Sequence, residues 1–176
     1  MAQVELVPSS IGEDWASLAE LNVVYARWVF DEAKRISGIS FADIVGHAAE
    51  EYAMSAMTSV CGHSPPSGIF YLAMYDGRLA GMGGLRPLSR GIAELKRVFV
   101  RDAFRGRGIG GRLLTQLLSD AAQFGYERVR LDTALFMRDA HEMYQSAGFT
   151  DIPPYPEAEV PDALQPHWRF MERGLA

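Results

Sequence analysis

A glycine-rich segment between an apolar stretch and an amphipathic stretch places the strongest constraint on the fold of this chain. Residues 105–111 read Arg-Gly-Arg-Gly-Ile-Gly-Gly and follow the strand-like stretch Ile92–Val100. Apolar residues then recur at helical spacing: Ile109, Leu113, Leu114, Leu117, Leu118, Ala121 and Ala122. Because glycine adopts backbone conformations that other residues avoid, the segment can turn sharply and approach a ligand closely. It therefore predicts a strand–loop–helix unit with a ligand site at the loop.

The ligand expected at this loop is an anion. The first amides of a helix have no partner within the helix, and the helix dipole adds partial positive charge to them. Arg105 and Arg107 add full charges. A phosphate or pyrophosphate suits such a site. A Walker loop is disfavoured because Gly111 and Arg112 stand where it needs Lys and Ser or Thr, and the glycine spacing does not complete a dinucleotide-binding fingerprint.

Three extended stretches before and up to this loop predict an antiparallel meander. Ile69–Tyr75 is almost entirely apolar, and the following Asp76-Gly77 pair is typical of a two-residue hairpin turn. Residues 78–86 form the second predicted strand and residues 87–91 turn the chain again. Ile92–Val100 is the third predicted strand.

Helices are expected before the meander. Ser10 and Glu13 have the spacing of a capping box, which predicts a helix from there to about Phe30. Residues 40–60 predict a second helix, and residues 61–68, which include two prolines, predict a loop.

Strands and helices alternate after the glycine-rich segment. Residues 128–133 predict a short strand, residues 138–147 a helix, and Phe149 begins another strand. A helix that connects two strands favours a parallel pair with a right-handed crossover. Residues 151–166 hold five of the nine prolines and predict a loop, and residues 167–172 predict a closing strand.

These elements predict a single α/β (α+β) domain over residues 1–176. A mixed, mainly antiparallel sheet of about six or seven strands is expected, flanked by helices. The length suits one domain, and 48% hydrophobic and 22% charged residues are ordinary for a globular protein with a substantial core.

The charge of the chain is divided unevenly. Residues 96–112 hold six basic residues and one acid, a net charge of +5. Since the whole chain carries −5, the remaining residues carry −10. An acidic surface repels nucleic acid and anionic membranes, so neither is an expected partner. Cys61, the single cysteine, cannot form an internal disulfide, and with no signal-peptide pattern or bilayer-length apolar run a cytoplasmic location is expected.

Taken together, these motifs resemble the GNAT superfamily of acetyl-CoA-dependent N-acetyltransferases. Residues 105–110 match that family's acyl-CoA loop, which is Arg or Gln, two residues, Gly, one residue, and Gly or Ala. Residues 94–100 look like its fourth strand. Residues 131–133 look like its fifth strand, and residues 140–149, with Tyr144, look like the helix that follows. The resemblance covers approximately residues 70–150.

The resemblance implies a set of functional residues. Backbone groups of the fourth strand would pair with the pantetheine arm, and loop amides would hold the pyrophosphate. The implied cofactor-binding residues are Val98, Phe99, Val100, Arg105, Gly106, Arg107, Gly108, Ile109, Gly110 and Gly111. Tyr144 matches the tyrosine that often protonates the departing thiolate, and Glu94 matches the glutamate that often takes a proton from the amine, directly or through water. Met137 stands where many members have an Asn that contacts CoA.

These roles are chemically sensible. An attacking amine must lose a proton, which a carboxylate can accept, and a strand amide near Val98 can stabilise the developing oxyanion. Structural alternatives remain for both side chains: Tyr144 as a core residue of an amphipathic helix, and Glu94 as a solvent-facing residue paired with a neighbouring Arg. The four histidines share no metal-ligand spacing, so no metal is expected.

The predicted function is transfer of an acetyl group from acetyl-CoA to a primary amine by direct attack in a ternary complex. The expected partner is a small-molecule or peptide amine, and a homodimer is also allowed. The alternative is a non-catalytic acyl-CoA-binding regulator, while an enzyme that acetylates charged tRNA is disfavoured by the acidic remainder. The acidic residues Glu157, Glu159 and Asp162 suggest a cationic acceptor; the competing interpretation makes their segment an exposed connector.

Overall fold

Seven strands form one mixed sheet in the computed structural model, which describes residues 3–175. The ends of the predicted 1–176 domain, Met1, Ala2 and Ala176, lie outside the described residues. The strands are β1 (Val4–Pro8), β2 (Ile69–Tyr75), β3 (Arg78–Ser89), β4 (Ile92–Val100), β5 (Arg128–Ala134), β6 (Thr150–Ile152) and β7 (Trp168–Gly174). The helices are α1 (Ile11–Ser37), α2 (Phe41–Val45), α3 (Ala49–Cys61), α4 (Ile109–Gln123) and α5 (Arg138–Ser146). Short 3-10 turns cover Asp102–Phe104 and Asp162–His167.

The spatial order of the strands is β1-β2-β3-β4-β5-β7-β6. Strands β4 and β5 are parallel and every other neighbouring pair is antiparallel. Helix α4 makes the crossover between the parallel strands β4 and β5. The parallel pair expected across the helix at residues 138–147 does not form, because β7 lies between β5 and β6 and pairs antiparallel with both. The prediction of a mixed, mainly antiparallel sheet flanked by helices is confirmed. Within the described part of the chain, no helix is both long and apolar enough to cross a membrane.

The N-terminal helix begins with the predicted cap, although its second partner differs. The Ser10 hydroxyl accepts a hydrogen bond from the Glu13 amide at 3.3 Å. The carboxylate that returns to the Ser10 amide belongs to Asp14, at 2.9 Å, and not to Glu13. The helix continues past the predicted end near Phe30, because its apolar face keeps packing as far as the buried Ala33.

Four elements differ from the sequence expectations. Strand β1 was not predicted, and it pairs with β2 at the edge of the sheet. The single helix predicted over residues 40–60 is α2 and α3, because Gly46 ends α2 in a left-handed conformation. Strand β3 continues through Pro87, which pairs with Ala93, so the turn is shorter than expected. The predicted loop over residues 151–166 contains the end of β6 and the start of a 3-10 turn.

The core lies on both faces of the sheet. On one face, Leu95, Val129 and Leu131 of the sheet pack with Leu113 and Leu117 of α4. On the other face, Phe70 and Met82 of the sheet pack with Leu18 and Leu21 of α1 and Met57 of α3. A third cluster, under α2, brings the proline-rich segment back onto the molecule through Tyr155, Val160 and Leu164.

A bulge in β4 separates this strand from β5. Between two paired positions, β3 advances two residues, Met82 to Gly84, while β4 advances three, Lys96 to Phe99. Arg97 lies within this bulge and has a positive φ of 56°. Strand β4 pairs with β5 only as far as Glu94. Beyond that point the two strands diverge and leave a cleft between them.

Candidate active site

The cleft beyond the β4–β5 pairing has a volume of about 480 Å³. Its walls are the end of β4, the glycine-rich loop, the first turn of α4 and the first turns of α5. Lining residues are Trp28, Val98, Phe99, Val100, Phe104, Arg105, Gly106, Gly108, Ile109, Gly110, Gly111, Phe136, Met137, Arg138, Asp139, Ala140 and Met143. Nine of the ten residues predicted to bind the cofactor are therefore together at one cleft. The tenth, Arg107, lies over the ring of Tyr75 and donates to its hydroxyl at 3.1 Å.

Backbone conformation explains the glycines of this loop. Gly106 and Gly108 have φ values of 73° and 75°, which side chains other than glycine rarely adopt. Gly108 is the N-cap of α4, and no side chain caps the helix there. A Cβ on Gly110 would lie 3.3 Å from the Met143 sulfur, so a side chain there would press on α5. The uncapped helix N-terminus and its open approach fit a phosphate group.

Arg105 is the cationic side chain of the basic stretch that borders this cleft. Its guanidinium lies 5.1 Å from the ring of Trp28, and its Nε donates to the Val100 carbonyl at 3.2 Å. Asp102 pairs with it at 3.0 Å. Arg101 instead pairs with Glu20 on the surface. The local charge of +5 is thus only partly directed at the cleft.

A second, smaller cavity of about 80 Å³ lies beside the bulge of β4. The bulge interrupts the alternation of the strand, so both Lys96 and Arg97 border this cavity. The other polar residues at its wall are Tyr25, Tyr52, Asp132 and Glu159.

The second cavity and the cleft share a wall of aromatic rings. Tyr25 borders the cavity, and its ring centroid lies 5.6 Å from that of Phe99 and 6.3 Å from that of Trp28, both of which line the cleft. The sheet face therefore offers a small polar cavity directly beside the larger cleft.

Glu94 is completely buried, and its side chain lies among ion-pair partners. Arg86, its direct cross-strand partner, donates to Oε2 from Nε and approaches it with Nη2, both at 2.9 Å. The Tyr155 hydroxyl donates to Oε1 at 2.7 Å, and Lys96 Nζ lies 3.8 Å from Oε2. The expected partnership with a neighbouring Arg is present, but the side chain does not face solvent. Glu94 is not among the residues that line either cavity, and its role as a proton acceptor stays a prediction.

Asp132 is the carboxylate that sequence reasoning missed. It lies on β5 and borders the second cavity, with Oδ2 3.3 Å from Lys96 Nζ. Burial alone would lower the pKa of Lys96, but the charges of Asp132 and Glu94 outweigh it and raise that pKa, so the ammonium is retained. Alternation with the buried Leu131 and Thr133 put Asp132 on the other sheet face. An acidic residue that alternates with buried residues near the end of a strand was the signal in the sequence that could have identified Asp132.

Tyr144 lies in the core, against Phe149, with ring centroids 5.7 Å apart. Burial, followed by the charges of Tyr25 and Asp132, raises its pKa well above the ordinary value. The phenol therefore keeps its proton at neutral pH. Tyr144 does not line the cleft, and its role as a proton donor stays a prediction. Met137 does line the cleft, where its sulfur accepts from the Thr133 hydroxyl at 3.6 Å.

Comparison with known proteins connects this architecture with one family. YjgM, an uncharacterized N-acetyltransferase of Escherichia coli K12, is 30% identical over 93 residues, which are 51% of this chain and 56% of that protein. The chain spans less than two thirds of the first curated relatives that it matches.

Two solved structures have the same fold. A GNAT-family acetyltransferase from Staphylococcus aureus Mu50 superposes with a TM-score of 0.71 over 99% of this chain and all of its own, at 18% identity. The PaiA N-acetyltransferase of Thermoplasma acidophilum, solved in complex with coenzyme A, superposes with a TM-score of 0.68 over 98% of this chain and 99% of its own, at 19% identity. The sequence profile described as Acetyltransferase (GNAT) family matches residues 26–149, more than half of the chain. This chain belongs to the GNAT family of acetyltransferases.

Proposed function

We propose that this protein is a single-domain N-acetyltransferase that moves an acetyl group from acetyl-CoA to a primary amine. The observation that carries the proposal is the cleft where the end of β4, the glycine-rich loop and the uncapped N-terminus of α4 meet. Family membership supports acyl transfer, and the coenzyme A complex of a protein with the same fold supports CoA as the carrier.

Backbone groups at the cleft are suited to hold an extended ligand. The Arg101 amide donates to Ala80 of β3 at 2.9 Å, so alternation turns Val100 and Val98 toward the cleft. A pantetheine arm that pairs with them would lie like another strand beside β4. Phe99 and the amides at Ile109, Gly110 and Gly111 complete the proposed site, with the last three directed at the pyrophosphate.

Proton handling is assigned to three side chains, Asp132, Glu94 and Tyr144. Acetyl-CoA, when bound, supplies the acetyl group that the amine takes up. Asp132 borders the second cavity and can accept the proton that the amine loses. Glu94, the base expected from the sequence, would act from beneath Lys96. The neutral phenol of Tyr144 would give its proton to the departing sulfur, which then leaves as a thiol.

We propose a small amine as the acceptor and the cytoplasm as the location of the reaction. The second cavity, at about 80 Å³, has room for a few heavy atoms and lies next to the cleft. No nucleic acid or membrane partner is proposed, because the chain outside residues 96–112 carries −10.

Thiol release from acetyl-CoA, measured across a panel of amino acids, polyamines, aminoglycosides and peptides, tests the proposal. We expect release with at least one acceptor class and a rise in the unfolding temperature with acetyl-CoA. Stabilisation without release for any amine would favour the non-catalytic acyl-CoA-binding alternative. Neither stabilisation nor release would overturn both.

A further inference from the structure

Five charged side chains form one network at the second cavity: Lys96, Asp132 and Glu159 border the cavity, and Arg86 and Glu94 lie behind them. Arg86 pairs with Glu94 at 2.9 Å and with Glu159 at 3.1 Å. Lys96 lies 3.3 Å from Asp132 and 3.8 Å from both Glu94 and Glu159. Two cations thus share three carboxylates, and each cation is compensated more than once.

Arg97 stands next to this network but outside it. Among residues 3–175, no carboxylate lies within salt-bridge distance of its guanidinium. Nη1 donates to the neutral Asn22 Oδ1 at 2.6 Å. Asn22 is itself fully buried and also donates from Nδ2 to the Leu18 carbonyl at 2.8 Å, so its position is fixed. Asn22 therefore orients Arg97 without neutralising it.

The surroundings of Arg97 leave its guanidinium available to bind an anionic group of a ligand. The guanidinium lies 5.6 Å from the ring centroid of Tyr25 and 6.0 Å from that of Tyr52. A guanidinium has five N–H donors in a planar fork, and its natural partner is a carboxylate bound by two of them. The positive φ of Arg97 is an unfavourable conformation, and such outliers are retained mostly at functional sites.

Opposite charges line the same small cavity. Asp132 and Glu159, and the Lys96 that pairs with both, border it together with Arg97. A ligand that carries both an ammonium and a carboxylate would meet a complementary charge for each, the amine at Asp132 and the carboxylate at Arg97. A purely cationic amine would leave the Arg97 guanidinium without a counter-ion.

We propose that the acceptor is a small amino acid, whose carboxylate pairs with Arg97 while its amine lies toward Asp132. The inference rests on the proposed function and narrows its acceptor class. Arg97 is then the residue that selects amines with a carboxylate nearby.

Matched acceptors test this assignment. Small amino acids are compared with their primary amides and with the amines that lack the carboxyl group, by thiol release from acetyl-CoA. Arg97→Gln removes the charge, Arg97→Lys keeps it without the fork, and Arg90→Gln removes a charge from the exposed β3–β4 turn as the control. Binding of each amino acid with CoA present is measured by calorimetry, which reports occupancy without turnover.

We expect the unsubstituted protein to favour an amino acid over its amide by about tenfold or more in kcat/KM. Arg97→Gln should remove that preference through a higher KM for the amino acid, with little change for the amide. Arg97→Lys should keep part of it, and Arg90→Gln all of it.

Equal use of amino acid and amide by the unsubstituted protein would overturn the inference and leave the proposed acetyl transfer intact. A loss in Arg97→Gln that is the same for both acceptors would also overturn it. Amino-acid binding that depends on Arg97 but gives no thiol release would sustain an amino-acid site at Arg97, but it would overturn the proposed function and with it the role of the amino acid as acceptor.

Discussion

Gly46 and Gly108 share a left-handed backbone angle, a φ of 75°, and each has open space where a Cβ would lie. The first ends α2 and does not line the cleft, and the second caps α4 at the cleft. Gly46→Ala and Gly108→Ala should therefore each lower the free energy of unfolding by about 1 kcal/mol.

Only Gly108→Ala should weaken acetyl-CoA binding, by about tenfold, because the strained residue redirects the amides at the start of α4. Isothermal titration with acetyl-CoA measures it, with Gly46→Ala as the matched control. Equal affinities for the two variants would remove the loop from the proposed binding site.

Replacing Glu94 or Asp132 by its amide should affect different properties, the stability for Glu94 and the activity for Asp132. Glu94→Gln leaves Arg86 and Lys96 short of a buried negative charge, so we expect the free energy of unfolding to fall by about 3 kcal/mol or more. Asp132→Asn should cost less stability and reduce kcat by about 100-fold, because the amide cannot accept the proton of the amine.

Urea unfolding and steady-state kinetics on both variants separate these roles. If a folded Glu94→Gln protein loses kcat and Asp132→Asn does not, Glu94 is the proton acceptor and Asp132 is not.

The sequence could predict that the residues of a linear motif lie together, but it could not predict which residues meet where two strands diverge. The predicted residues are 98–100 at the end of β4 and 105–111 in the glycine-rich loop, two runs close in sequence, and nine of the ten meet at one cleft. Asp132 and Arg97 border the second cavity because β4 bulges and leaves β5 after Glu94. A bulge adds one residue to a strand without a marker in the local composition, and it reverses the alternation on which strand faces are predicted.

Elements with regular periodicity matched their expected bounds closely, including β2, β4 and α4. Strand β1 was missed because its five residues form a strand only by pairing with β2 across more than sixty residues of sequence. The break at Gly46 was missed because a lone glycine within a helical pattern also occurs inside continuous helices.

The proline-rich segment proved to be an anchored element. Glu159 pairs with Arg86 and Lys96, and Tyr155 donates to the buried Glu94. Burial and the charges of Asp132 and Glu94 raise the pKa of Tyr155, so this donor stays protonated. Glu157 and Asp162 are exposed and do not line the second cavity.

The three acids of this segment should therefore act unequally. Glu159→Gln should raise the KM of the acceptor several-fold, because Glu159 is the member that borders the cavity and positions Lys96. Glu157→Gln and Asp162→Asn are the matched controls and should leave KM unchanged. Initial rates at varied acceptor concentration measure the KM of each variant. An equal rise in KM for all three variants would instead support a general electrostatic attraction of cationic acceptors by the segment.

Over the whole molecule, the net charge of −5 does not show how the charged residues are distributed. The basic residues 96–112 do not form one surface: Arg105 borders the cleft, Lys96 and Arg97 border the second cavity, and Arg101 pairs with Glu20. For the proposed acceptor site, we expect the opposite charges brought together at the bulge to matter more than the net charge of the chain.

The sheet is held together at its centre by only three residue pairs of β4 and β5, from Ile92–Arg128 to Glu94–Arg130. Strands β1–β4 on one side and β5–β7 on the other are well paired within themselves. Amides of Val98 and Val100 should therefore exchange rapidly with deuterated water in the free protein, and acetyl-CoA should slow them at least tenfold.

Val129 and Leu131, already paired with β7, should serve as internal references whose exchange changes little. Slow exchange at Val98 and Val100 before ligand is added would contradict this expectation. If acetyl-CoA slows the exchange of Val98 and Val100 as expected, the bound ligand stabilises the middle of the sheet. The two halves of the sheet would then resist mechanical separation more strongly while ligand is bound than between catalytic cycles.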